Sequence, residues 1–303
     1  IAITLWGFSQ ASLGQAKYTG SSYTYQWQQA MNWVRENTPK DSVFAHWWDY
    51  GYYVQTGGER ATLSDGGNAR GAINYFIGRH LLTGQSETEA LELLKANNAT
   101  HFLVVYEEIG KYPAFSSIGS DAQYDRYSWI STFTLDPTLV QETRDETVLV
   151  YKGGTANDED FIYQDKIYPE SGAGIGAVLI PLKTETVTEG NSTKQVQQIK
   201  QPSIIMVYGG QQIKVPLECI FLDGKEINFP EKGYAGCFRI IPSVEGDNKM
   251  NNMGAGLLLS PKVRRTVFTK LYLYNQPSEY FKKVYTDETA GMPLVVYQGR
   301  LIG

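Results

Sequence analysis

Residues 46–54 read HWWDYGYYV, which places a histidine, two adjacent tryptophans, an aspartate and three tyrosines within nine positions. A tryptophan indole offers one N–H donor and no acceptor, and an ionised aspartate offers only acceptors. Trp47, Trp48 and Asp49 together would make a mixed site suited to a small hydroxyl, which both donates and accepts. Neighbouring residues of a strand face opposite sides, so convergence of the three needs a turn after the strand. Tyr50 and Gly51 follow, and glycine tolerates such a turn. A ligand lacking the hydroxyl would leave buried polar groups unpaired, at about 1–3 kcal/mol each. The alternative is an aromatic packing corner in which Asp49 caps the turn.

A second candidate cluster lies in VVYEEIGKYPAFSSI, residues 104–118. Glu107, Glu108 and Lys111 leave the end of an apolar run that reads as a buried strand, the usual edge for ligand contacts in α/β folds. Glu108 and Lys111 are three apart, as are Phe115 and Ile118, so each pair meets if the segment is helical. Pro113 is best tolerated near the start of a helix. The plainer alternative is a solvated ion pair above a core helix.

The flanking elements set these residues in place. TYQWQQAMNWVRENTP puts Trp27, Ala30, Met31 and Val34 on one helical face, and Pro39 ends the helix. SVFAHWW is a short strand entering the tryptophans, and SDGGN (64–68) is a turn. ARGAINYFIGRHLL reads as helix, and so does SETEALELLKANN, which opens with a capping box of Ser86 and Glu89. THFLVVY (100–106) is a buried strand, so this half has α/β character. From about residue 145 the texture becomes short strands between Gly, Pro and Asp turns, with a hairpin signal at Asp223–Gly224. Helix returns at SPKVRRTVFTKLYLYN, where Ser260 suits an N-cap and Pro261 the first helical position. Lys262, Arg264, Arg265 and Lys270 read as its solvated face. The expected fold is α+β: residues 1–150 and 251–303 form a mixed core unit, and 151–250 an inserted all-β barrel or sandwich.

Composition narrows the class. The 303 residues carry a net charge of −5, which disfavours nucleic acid as a partner, and no apolar run is long enough to span a membrane. The chain contains 21 tyrosines, suited either to contact surfaces or to strand and core packing. The opening IAITLWGF has neither initiator methionine nor signal peptide and reads as a start inside a longer gene. Cys219 and Cys237 lie in a strand-like region and form either a disulfide or two separate buried thiols. His46, His80 and His101 are scattered and no CxxC occurs, so no metal site is expected in this chain. GAGIG (172–176) lacks the GxGxxG spacing and reads as turn glycines. NAT (98–100) and NST (191–193) are glycosylation sequons, hence expected surface loops.

WWDYG, residues 47–51, is also the signature pentapeptide of the catalytic subunit of oligosaccharyltransferase, the enzyme of asparagine-linked glycosylation. The surroundings agree, with WVRENTP and DSV upstream and GER and LSDGGN downstream. The chain resembles the C-terminal soluble domain of an archaeal enzyme of the shorter type, most densely over residues 20–120. The resemblance implies that Trp47, Trp48 and Asp49 hold the Ser or Thr hydroxyl of an Asn-X-Ser/Thr acceptor peptide. It further implies that EIGKYPAF matches a second motif through Glu108 and Lys111. Glu stands there for Asp, and either Phe115 or Ile118 supplies the apolar end that touches the threonine methyl. The family's catalytic carboxylates, its divalent metal (Mn or Mg) and its lipid-linked oligosaccharide site lie in a membrane-embedded half. This domain would then carry no catalytic residue and bind no cofactor. It would act as a monomeric reader on the extracytoplasmic face of the membrane, and would be inactive alone.

Two rival functions remain. A carbohydrate-binding module would present coplanar exposed aromatic rings. A glycoside hydrolase would pair Asp49 with Glu107 or Glu108.

Overall fold

The computed structural model describes residues 1–143, 146–189, 192–244, 249–287 and 293–300, with side chains described outside 185–196. Asn191 of the second sequon lies outside the described residues; Asn98 of the first is exposed. The chain forms two compact units, residues 1–74, 91–106 and 279–303, and residues 75–90 and 107–278.

The first unit begins with helix α1 (Ala2–Tyr18), which has no buried residue. Helix α2 (Tyr25–Asn37) buries Trp27, Ala30, Met31 and Val34, the face expected from its periodicity, and Thr24 caps its start. Strand β1 (Val43–Ala45) lies between β2 (Ala61–Thr62) and β3 (His101–Val104), parallel to both. Two strands from the end of the chain, β16 (Phe281–Thr286) and β17 (Val295–Gly299), complete a five-stranded sheet in the order β16-β17-β3-β1-β2. Helix α3 (Gly51–Gly57) leaves the carboxyl end of β1 through a 3-10 turn, Trp48–Tyr50. After β2 the chain runs through α4 (Gly71–Phe76), a wide π-type turn over Ile77–Leu82 and α5 (Glu87–Ala96) before β3. Ser86 caps α5 by accepting the Glu89 N–H at 3.2 Å.

Arg60 ties this unit together from inside. It is 6% exposed, and its guanidinium donates to the carbonyls of Arg35, Thr38, Gly58 and Glu59 and to the Thr38 hydroxyl. Arg35 and Thr38 end α2, whose last carbonyls have no intrahelical partner. A buried cation is tolerable there because the acceptors carry the partial negative charge of the helix end.

The second unit takes in residues 75–90 and α6 (Glu107–Ile118) and is mainly sheet. Strands β9 (Gly174–Glu189), β11 (Ser203–Tyr208), β12 (Gln211–Leu222), β14 (Tyr234–Val244), β15 (Met250–Leu259), β4 (Ser131–Leu135) and β6 (Glu146–Ala156) follow one another in hydrogen-bonded order. Pairing of β6 with β9 closes them into a seven-stranded barrel. Phe133, Tyr151, Phe238 and Ile204 belong to its buried core. Strands β5 (Gln141–Glu142) and β10 (Ser192–Ile199) extend the sheet, β13 (Lys225–Asn228) pairs with β12, and β7 (Phe161–Tyr163) with β8 (Lys166–Tyr168) makes a separate hairpin. Between β12 and β13, Asp223 and Gly224 both take positive φ, 49° and 75°, the two-residue hairpin their sequence suggests. Cys219 and Cys237 face each other across parallel β12 and β14 and are joined as a disulfide.

The fold is α+β with a closed barrel, but the units divide elsewhere than the change in texture suggests. Borders at 150/151 and 250/251 cut β6 and β15, and the barrel already begins with β4 at Ser131. The short SPKV helix, α7 (Pro261–Arg264), packs on β14 and β15 and belongs to the barrel unit. Of the basic residues in SPKVRRTVFTKLYLYN, Arg265 is exposed, but the other three are engaged. Arg264 pairs with Glu226 and bonds Asn228 and the Ala235 carbonyl, Lys262 reaches the Asp158 carbonyl, and Lys270 the Gln85 carbonyl.

Candidate functional site

Trp47–Gly51 occupy the carboxyl end of β1, with β2 on one side and β3 on the other. Ligands of parallel sheets bind beyond the carboxyl ends, where successive connections diverge, and β1 stands at such a point. The Trp47 carbonyl accepts two hydrogen bonds, from the Tyr50 N–H at 3.2 Å and from His46 Nδ1 at 2.8 Å. A carbonyl only accepts, so the proton sits on Nδ1 and the turn is held by the histidine that precedes it. His46 is fully buried; desolvation lowers its pKa to about 4, against the raising effects of its bond to Trp47 and of Asp65. It is therefore neutral at pH 7. Its Nε2 has no hydrogen-bond partner among the described residues.

The five motif residues are not equally accessible. Trp47 is 1% exposed and Tyr50 3%, with Tyr50 stacked on Trp27 at 5.3 Å. Trp48 and Asp49 are half-buried, so these two carry what surface the motif has. Gly51 is helical, with φ −55° and ψ −46°, so conformational freedom is not what requires glycine there. A β-carbon at residue 51 would lie 2.4 Å from Asp65 Cβ and 2.6 Å from the Ser64 carbonyl oxygen. Glycine is demanded by the close approach of the loop after β2.

That loop is itself held. Asp65 accepts from Gln55 of α3 at 2.8 Å and from the Gly67 N–H at 2.9 Å, and these bonds keep its carboxyl below the usual range. Asn68 sits at φ 48° and accepts from Asn74, whose Oδ1 accepts from Ser64. The residues SDGGN signal a turn by themselves, but their part in bracing Gly51 has no local signature.

The second cluster lies on α6. Glu108, Tyr112, Phe115 and Ser116 form its buried face. Phe115 is 0% exposed and packs on Tyr112 at 4.8 Å and on Phe268 at 6.2 Å, so it belongs to the core of the barrel unit. Glu108 is buried, Glu107 and Lys111 are half-buried, and Ile118 is 44% exposed. Lys111, Phe115 and Ile118 lie on one side of α6, being four, three and seven positions apart, but Phe115 is buried and Ile118 exposed. Pro113 lies in the interior of the helix rather than near its start, which removes one i→i−4 bond. Among the described residues no three His, Cys, Asp or Glu side chains are grouped to hold a metal ion, and no helix is long and apolar enough to cross a membrane.

Residues 39–135, which contain WWDYG and α6, match the family described as the STT3/PglB/AglB core domain. A dolichyl-phosphooligosaccharide-protein glycotransferase 1 of Pyrococcus furiosus is 35% identical over 101 residues, 32% of this chain and 10% of that protein. The STT3B subunit of the rice dolichyl-diphosphooligosaccharide–protein glycosyltransferase is 30% identical over 86 residues, 28% of this chain and 12% of that protein. The matched segment is thus about a tenth of the length of these curated relatives. Among solved structures, the C. jejuni PglB C-terminal domain aligns over 91% of this chain and all of that one, at TM-score 0.48 and 12% identity. The C-terminal globular domain of the Pyrococcus abyssi oligosaccharyltransferase aligns over 91% of this chain and 50% of that one, at TM-score 0.46 and 15% identity.

Proposed function

Since residues 39–135 match the STT3/PglB/AglB core domain, we propose that this chain is the acceptor-reading domain of a membrane oligosaccharyltransferase, a glycosyltransferase that moves a lipid-linked oligosaccharide onto asparagine. The observation that carries the reading is the unsubstituted WWDYG at the carboxyl end of a central parallel strand, with Trp48 and Asp49 partly accessible. The Ser or Thr hydroxyl of Asn-X-Ser/Thr donates to Asp49 and accepts from the Trp48 indole. Buried Trp47, Tyr50 and Gly51 fix the turn that presents them. On α6, Ile118 suits an apolar contact with a threonine methyl better than Phe115 does, because it is exposed and Phe115 is buried.

The chemistry of transfer is supplied outside residues 1–303. In this reading an Mn or Mg ion and the lipid-linked sugar belong to another part of the enzyme. The Cys219–Cys237 disulfide supports an extracytoplasmic setting, because such bonds persist in oxidising compartments. Burial of Glu108 speaks against that residue in a hydrolase pair with Asp49, since a catalytic carboxyl must reach its substrate, whereas Glu107 is half-buried.

The test is transfer of glycan to a fluorescent Asn-X-Thr peptide by the full-length enzyme and by its Asp49→Ala variant. A charged hydrogen bond nets about 1.5–3 kcal/mol, so kcat/KM falls by roughly tenfold to a hundredfold, mostly through KM for peptide. Affinity for the lipid-linked sugar stays the same. Wild-type rate and KM in the variant would leave the pentapeptide as an aromatic corner and remove the proposal.

A further inference from the structure

A surface concavity of about 600 Å³ lies in the first unit, between the polar face of α2 and the outer face of α3. Gln28, Asn32 and Arg35, at i, i+4 and i+7 of α2, line one side, and Tyr52 and Tyr53 of α3 line the other, with Tyr23 beside them. The opposite face of α2 is its buried one, so the periodicity of this helix leaves these three residues on a face that would otherwise simply be solvated.

The concavity has fixed walls. Tyr23 and Tyr53 meet with ring centroids 5.5 Å apart at 52°, and Tyr53 lies on buried Trp27 at 4.7 Å. The Tyr23 hydroxyl lies over Gly57, where a β-carbon would come within 2.1 Å of it. Gln28 donates to the Tyr23 carbonyl at 3.2 Å, tying the segment before α2 to the helix. Arg35 donates to Asn32 Oδ1 at 2.8 Å, which orients guanidinium and amide together. Glu59 approaches the same guanidinium only at 3.7 Å and is largely exposed.

The lining selects one ligand chemistry. Tyrosine rings offer apolar faces, while hydroxyls and amides both donate and accept. Among the described residues no aliphatic side chain lines the cavity to take a lipid chain or an apolar peptide anchor, and no carboxylate lines it to take a cation. One arginine is too little charge for a polyphosphate, but it suits a hydroxyl pair or a single carboxylate. The volume is within the usual range for small-ligand sites, about 300–1,000 Å³. From this lining we infer that the concavity binds a saccharide, with sugar C–H faces against the tyrosines and sugar hydroxyls, or a uronate carboxylate, on Asn32 and Arg35. The site does not depend on any role of Trp48 and Asp49 toward a sequon hydroxyl.

The experiment is isothermal titration of the 303-residue chain with mannotriose and with trigalacturonic acid, repeated on Arg35→Gln and Tyr52→Ala. Both side chains are exposed, and thermal melting checks that the variants stay folded. The expected result is saturable binding of at least one trisaccharide, weakened by about tenfold or more in each variant, the worth of one lost contact. Absence of saturable binding for both sugars overturns the inference. So does binding that both folded variants keep at full strength, and so does displacement of the sugars by an Asn-X-Thr peptide in the parental chain but not in Arg35→Gln, which would make this a peptide groove.

Discussion

Gly51 lies so close to Asp65 that a β-carbon on residue 51 would stand 2.4 Å from the β-carbon of the aspartate. The last residue of the WWDYG turn is thereby keyed to the loop after β2, and anything that pushes the two apart moves Trp48 and Asp49. Gly51→Ala should destabilise the first unit by about 1–3 kcal/mol, the usual cost of overpacking. Urea unfolding measures this, and the fluorescence of the neighbouring tryptophans should shift. An unchanged midpoint would mean that the loop yields freely.

Between pH 6.5 and 4 the first unit should lose stability. His46 is neutral in the folded state with a pKa lowered to about 4, whereas in the unfolded chain it protonates near the ordinary histidine value of 6.5. The unfolded state binds the extra proton in that window, so its stabilising effect is complete above pH 6.5 and declines as pH falls toward 4, at about 1.4 kcal/mol per pH unit. The slope of unfolding free energy against pH measures it. His46→Asn, which keeps a donor for the Trp47 carbonyl but cannot titrate, should remove its share of the slope and leave that of His101, whose pKa burial also lowers to about 4.

Phe115 and Ile118 should separate cleanly. Phe115→Ala removes a ring buried against Tyr112 and Phe268 and should cost about 3–5 kcal/mol. Ile118→Ala, at a 44% exposed site, should cost less than about 0.5 kcal/mol. In the full-length enzyme Ile118→Ala should nonetheless narrow the preference for Thr over Ser peptides. A preference unchanged by Ile118→Ala would assign the methyl contact elsewhere.

Arg60→Met should be among the most damaging single changes in the first unit. It leaves the Arg35 and Thr38 carbonyls and the Thr38 hydroxyl without their donor. With several charge-assisted bonds lost, the expected penalty is about 3–5 kcal/mol. Arg60→Lys should recover only part of it, because an ammonium lacks the fork that reaches several acceptors at once. Denaturant midpoints of the three proteins rank the outcome.

Reduction of Cys219–Cys237 should lower the melting temperature of the barrel unit while leaving the first unit unchanged. The bridge closes a separation of 18 residues, and its removal should cost about 2–4 kcal/mol. Calorimetry with and without reductant resolves the two units, and a shift confined to the first would contradict the assignment.

What the sequence determined by itself was local. The buried face of α2 follows from side chains that repeat every turn, the caps at Ser86 and Ser260 from residues three positions apart, and the Asp223–Gly224 turn from two residues that accept positive φ. The pentapeptide was equally plain, because its chemistry is written in contiguous residues. The tertiary structure alone decided what depends on residues far apart in the chain. Closure of the barrel joins β6 to β9, the disulfide required β12 and β14 to run side by side, and the unit borders followed those pairings rather than the change in texture. Gly51 looked like a turn residue and is instead a contact surface for Asp65. Phe115 and Ile118 were indistinguishable in sequence, and Phe268, more than 150 positions later, helps to bury one of them. Local preference acts through neighbours on one turn or strand, whereas burial is settled by whichever distant surface arrives, and a single chain carries no local record of that arrival.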